Sequence, residues 1–172
     1  MVRIHLGLAF WVFALFCAEG VLGFLSAGRP AIFNLHFFGG VLIAVMVCAL
    51  HVIVMFHFIG SGAEIKDMAR LLGGDVEMVR RTARFKGRVF PFSTFSILTV
   101  IAAEVAGGAV HAQAAPQFLH QGLVAVSFAL VTYTLWMEHQ TLVQNAALID
   151  EVNERIKDLM TPEFIKHVGK EV

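Results

Sequence analysis

The stretch Ile32 to Gly60, IFNLHFFGGVLIAVMVCALHVIVMFHFIG, contains no Asp, Glu, Lys or Arg and carries three histidines. A bilayer's hydrocarbon core is about 30 Å thick, and a helix of roughly 20 apolar residues crosses it. This stretch is longer, so it is expected to span with tilt or to protrude at one end. A polar side chain in hydrocarbon costs free energy unless it finds a partner, which makes intramembrane histidines functional candidates. His36 and His51 are 15 residues apart, which puts them about 60° apart around a helix and roughly 22 Å apart along it. One helix therefore offers an imidazole near each face of a membrane.

Composition points the same way. Of 172 residues, 58% are hydrophobic and only 15% charged, where soluble domains run nearer one quarter charged. The formal net charge is zero, so there is no basic excess to neutralise phosphates and a nucleic-acid partner is excluded. Cys17 and Cys48 lie far apart inside predicted spans and are expected to be small buried hydrophobes rather than a disulfide or metal pair. The N-terminal apolar run lacks a clear small-residue cleavage site and is expected to be a retained first helix.

Three further spans flank the first stretch. Span one covers about Ile4 to Leu25 and is broken by Ser26-Ala27-Gly28-Arg29-Pro30. Span three is expected to start near Phe90-Pro91, proline suiting a first helical turn, and to end near Val110-His111. The connector AQAAP (Ala112 to Pro116) leads to span four, from Gln117 to about His139, whose helical pattern continues beyond the membrane. The segment Ser61 to Val89 holds seven of the thirteen Lys and Arg residues: Lys66, Arg70, Arg80, Arg81, Arg84, Lys86 and Arg88. By the bias of basic residues to the cytoplasmic side, this loop and both termini, with Arg3, Arg155, Lys157, Lys166 and Lys170, are cytoplasmic. The expected fold is an all-α integral membrane four-helix bundle, up-down-up-down. Residues 1–142 form the transmembrane domain with loop 61–89, and 143–172 a cytoplasmic helical extension. The expected location is a bacterial inner (cytoplasmic) membrane, with the lipid bilayer as first partner.

The loop is expected to form two short helices, Ala63 to Leu72 and Val76 to Phe85, separated by Gly73-Gly74 with Asp75 as N-cap. In the extension, Ile149, Val152, Ile156 and Leu159 recur at three- and four-residue steps. That apolar seam must bury itself against the basic loop or a second subunit, which leaves open a homodimer or a larger respiratory complex.

The polar residues of the spans sort by depth. Glu19, His36, Glu104, His111 and His120 lie toward the outer face; His5, His51, His57 and His139 lie toward the inner face. Paired neutral imidazoles from facing helices suit axial ligation of haem b. Gly20, Gly23, Gly39, Gly40, Gly107, Gly108 and Gly122 flank the outer layer and are expected to leave room for a porphyrin edge, although glycine also serves close helix packing.

Histidines two-thirds of a membrane apart on span two, with another pair on span four, resemble the membrane b-type cytochromes of the four-helix, two-haem kind. These include cytochrome b of the bc complexes and the small quinone-linked cytochromes. The resemblance covers the four spans and rests on spacing. It departs from the family pattern in that His120 and His139 are 19 residues apart, about 100° out of register around span four. It implies one or two haem b groups, electron exchange with quinone, and, if the protein is an enzyme, an oxidoreductase.

The pairings expected are His36 with His120 outside and His51 with His139 inside, with His111 and His5 as spares. Glu19 and Glu104 would carry the protons that accompany quinone chemistry, or would hydrogen-bond a ligand histidine. The same outer residues, Glu19, Glu104, His36, His111 and His120, are alternatively a donor set for non-haem iron, copper, manganese or zinc. A cofactor-free accessory subunit docked through its extension is a third expectation. A transporter is disfavoured because the polar groups form no continuous file. No nucleophile elbow, phosphate loop or CxxC is present, which excludes hydrolases, nucleotide enzymes and thiol redox proteins.

Overall fold

In the computed structural model, residues 1–26 and 28–159 are described. They form four helices: α1 (Val2–Leu25), α2 (Pro30–Leu71), α3 (Val76–His111) and α4 (Gln117–Leu159). All four are long and apolar enough to cross a membrane, and together they are compatible with a four-helix bundle. α3 packs on α2 and α4, and α1 packs on α2 and α4, which leaves α1 and α3 on a diagonal. Large apolar side chains such as Phe10, Trp11, Phe24, Phe38, Phe56, Val105 and Phe118 point outward from the helices. The interior is more polar than that surface. Ser93, Ser96, Ser127, Thr134 and Glu138 are wholly buried, and Ser96 and Thr134 share an interhelical hydrogen bond of 2.8 Å. Small hydroxyl residues of this kind let helices approach closely and bond across the contact.

Local chemistry sets the helix ends. Pro30 opens α2 behind an extended Arg29, where its missing N–H costs nothing. Gly73 and Gly74 take φ of 81° and 85°, a left-handed conformation that a side chain would strain. Asp75 caps α3 by accepting from the backbone N–H groups of Glu77 and Met78 at 3.0 and 3.2 Å.

The structure differs from the sequence expectation between residues 61 and 91. The two short helices are not separate elements; they are the ends of α2 and α3, which run through without a break. Gly60 and Gly62 do not interrupt α2. A Cβ on Gly62 would lie 3.1 Å from Lys86 Nζ, so this glycine permits close packing of α3. Pro91, expected in a first turn, lies inside α3. The carbonyl that loses its donor belongs to Gly87, whose backbone adapts most readily to the proline ring. Cys17, expected buried, is exposed on the outside of the bundle, and Cys48 is half-buried.

Beyond the span of the bundle, α2, α3 and α4 continue together. Leu148 and Val152 are fully buried against Ile65, Ala69 and Met78, with Ile149 and Ile156 packed beside them. The seam of α4 is thus covered by this chain's own basic segment. Arg81 reaches Glu151 at 2.6 Å, and Arg155 joins Glu151 to Asp75 at 2.8 and 3.0 Å. The Arg81 and Arg155 guanidiniums hold the Glu151 carboxyl below its ordinary value. The expectations placed on Lys166, Lys170 and the extension beyond residue 159 lie outside the described residues.

Candidate functional site

Two clusters of imidazole and carboxylate sit at different levels of the bundle. On α2 they are separated by the buried residues Ile43, Val47 and Leu50; Val100 of α3 and Val131 of α4 belong to the same apolar core.

The outer cluster draws on all four helices. His36 Nδ1 of α2 donates to Glu19 Oε1 of α1. His120 Nδ1 of α4 donates to the Ala103 carbonyl of α3 at 2.9 Å. The two rings lie with centroids 6.3 Å apart and planes at 63°. Each imidazole therefore has its Nδ1 fixed by an acceptor, which leaves Nε2 as the nitrogen able to offer a lone pair. Two imidazoles that bind one metal from opposite sides, each through one nitrogen at about 2 Å, hold their centroids roughly 6 Å apart. The outer pair stands at that separation. Glu104 of α3 completes the cluster, its carboxylate lying against Gly40.

The glycines have occupants. A Cβ on Gly23 would lie 3.1 Å from His36 Cε1, and one on Gly107 would lie 3.0 Å from His120 Cε1. A Cβ on Gly39 would strike the Glu19 carboxylate, and one on Gly40 would lie 3.1 Å from both Glu104 oxygens. The space expected beside Gly23, Gly39, Gly40 and Gly107 for a porphyrin edge is filled by the chain's own polar side chains. Among the described residues, nothing lies within 4 Å of a Cβ added to Gly20, Gly108 or Gly122, so of the glycines expected to leave room for a porphyrin edge these three stand beside open space. His111 stands outside the cluster, exposed, with its ring stacked on Phe33 at 4.7 Å.

The inner cluster is organised by a residue that the sequence analysis did not single out. Glu138 of α4 has no exposure and accepts from three helices. His51 Nδ1 of α2 donates to Oε1 at 2.8 Å, Ser93 Oγ of α3 donates to Oε1 at 2.7 Å, and His5 Nε2 of α1 donates to Oε2 at 3.2 Å. The available signal was the intramembrane acid itself: Glu138 lies within the expected span four, and the rule applied to Glu19 and Glu104 covers it. His139 stacks with His5 at 6.1 Å and 20°, so its ring contact is with His5 and not with His51. His57 is apart from this group, 3.5 Å from Asn145 Nδ2 and lining a cavity of about 160 Å³ with Leu142 and Ile149.

Among the described residues, three nitrogens in the inner cluster are buried without a hydrogen-bond partner: His5 Nδ1, His51 Nε2 and His139 Nδ1. When His5 and His51 give their N–H groups to Glu138, their other nitrogens carry lone pairs with no donor facing them. A carboxylate that fixes a histidine tautomer from behind is the usual outer partner of a metal-bound imidazole. Among the described residues, no three His, Cys, Asp or Glu side chains converge as they stand on a point that could hold a metal ion. No family model, no curated protein and no solved structure matches the chain, so the residues themselves carry the functional reading.

Proposed function

We propose that this protein is an electron carrier of a bacterial inner membrane that exchanges electrons with quinone through haem b held between histidines of different helices. Its helices run up-down-up-down with both termini in the cytoplasm, as the placement of basic residues directs. The observation that carries the proposal is the His36–His120 pair. Its rings are 6.3 Å apart, and each has its Nδ1 occupied by a protein acceptor. His36 and His120 would hold the outer group. The unpartnered nitrogens of His5, His51 and His139 are the donors for a second. Bound there, haem b supplies one-electron exchange. Glu19 keeps the His36 ring in one tautomer and orientation, and Glu138 does the same for His51 and His5. Among the described residues, Glu104 makes no hydrogen bond to a histidine, and its carboxylate, lying against Gly40, is the group that would take or give a proton beside a quinone.

A second reading rests on the filled glycine positions. Glu19 and Glu104 occupy the space over Gly39 and Gly40, and carboxylates with imidazoles are donor types that suit non-haem iron, manganese, copper or zinc, although these side chains would have to turn toward a common point to hold one. His111, stacked on Phe33, is not part of that set.

Electron exchange with a quinol tests the proposal. Purified protein in liposomes is expected to be reduced by a short-chain quinol analogue, read as a change in its visible absorption. Reduction by dithionite but not by quinol contradicts the quinone assignment.

A further inference from the structure

We propose that the groove where α3 and α4 leave the apolar part of the bundle binds the phosphate of an anionic phospholipid. Arg81, Arg84, Phe85 and Arg88 follow one another on α3 at helical spacing, and with Gln144 of α4 they line a cavity of about 350 Å³. Arg81 is matched by Glu151 and Arg84 by Glu77. Among the described residues, Arg88 has no anionic partner. It is the open positive charge of the groove.

A second observation gives the depth. Phe92, Tyr133 and Trp136 form an exposed aromatic row on the same two helices. Phe92 lies 5.2 Å from Tyr133, and Tyr133 lies 5.9 Å from Trp136. Tyr and Trp collect where hydrocarbon meets headgroup. Arg88 precedes Phe92 by one helical turn, about 6 Å, which places its guanidinium at phosphate level when the aromatic row lies at the boundary. Arginine binds phosphate through two parallel N–H groups, and the aromatic row offers a surface for acyl chains next to it. A soluble anion would use the arginines and not the row, so a lipid fits both features. The inference rests on the helices crossing a bilayer and not on what lies between the histidines.

Trp136 is the reporter. In a Trp11→Phe background it is the sole tryptophan, and brominated acyl chains quench it on contact. In mixed vesicles, brominated phosphatidylglycerol is expected to quench Trp136 more than brominated phosphatidylcholine at equal fraction. Arg88→Gln should reduce that preference about fivefold, as expected for one basic residue at an anionic surface. Lys66→Gln, outside the groove, should leave it intact, and inorganic phosphate at about 10 mM, too dilute beside a salt background of about 0.15 M to act by screening alone, should not compete. Equal quenching by both lipids in the parent overturns the proposal. So does an unchanged preference in Arg88→Gln, an equal loss in Lys66→Gln, or displacement by phosphate alone.

Discussion

Replacing Glu138 by alanine is expected to lower the free energy of unfolding by about 3–5 kcal/mol, the range for removing one member of a buried charged network. The loss has a specific origin. His5, His51 and Ser93 all donate to this carboxylate with no exposure to water. Without it, three donors from three helices are left buried and unsatisfied, each at about 1–3 kcal/mol. The effects overlap because the helices relax together, so their sum is not expected. Glu138→Gln keeps one acceptor oxygen and should fall between the parent and the alanine variant. Ser93→Ala removes one donor along with its need for a partner and should cost about 1 kcal/mol. Reversible unfolding in mixed micelles gives these differences. A Glu138→Ala variant within 1 kcal/mol of the parent (less than one lost buried hydrogen bond, about that size) contradicts the role of the carboxylate as the point where the helices meet.

The second large effect falls on the outer pair. His36→Ala and His120→Ala each remove one of the two proposed ligands, so each should abolish the group held there. The bound content should fall by one equivalent in either variant and no further in the double variant. That non-additivity separates a shared ligand from two independent hydrogen bonds, because residues acting as one unit lose the whole with either member. His111→Ala is the control, since its ring stacks on Phe33 away from the pair. Glu19→Gln leaves His36 an acceptor oxygen and should retain the group while changing its redox potential, the expected signature of a partner that tunes a ligand rather than supplying one. Retention of full content in His36→Ala would show that the ring is held only by its contact with Glu19.

How much of this was legible in sequence can be judged residue by residue. The four helices follow from long apolar runs with at most one charged residue each, and the turn before α3 from Gly73, Gly74 and Asp75, because those signals are local. The continuity of α2 through Gly62 and of α3 through Pro91 was not legible. There, packing of the two helices outweighs local helix-breaking tendency, and packing is not written in either segment alone. The nearness of His36 to His120 follows from depth along two facing helices. The partner of His139 does not, because a residue's azimuth around its helix depends on how the helices rotate against one another. Glu138 was accessible to the same rule that marked Glu19 and Glu104. The occupants of Gly39 and Gly40 were not, since a glycine marks a close approach without naming what approaches.

The proposal reduces to one claim: imidazoles from separate helices would share a metal-centred group inside the bundle. Pyridine-haemochrome and metal analysis of the purified protein tests it most directly. The account predicts haem b at about one or two equivalents per chain, the capacity of its two histidine layers, with iron in matching amount. Preparations with neither porphyrin nor a stoichiometric transition metal contradict it.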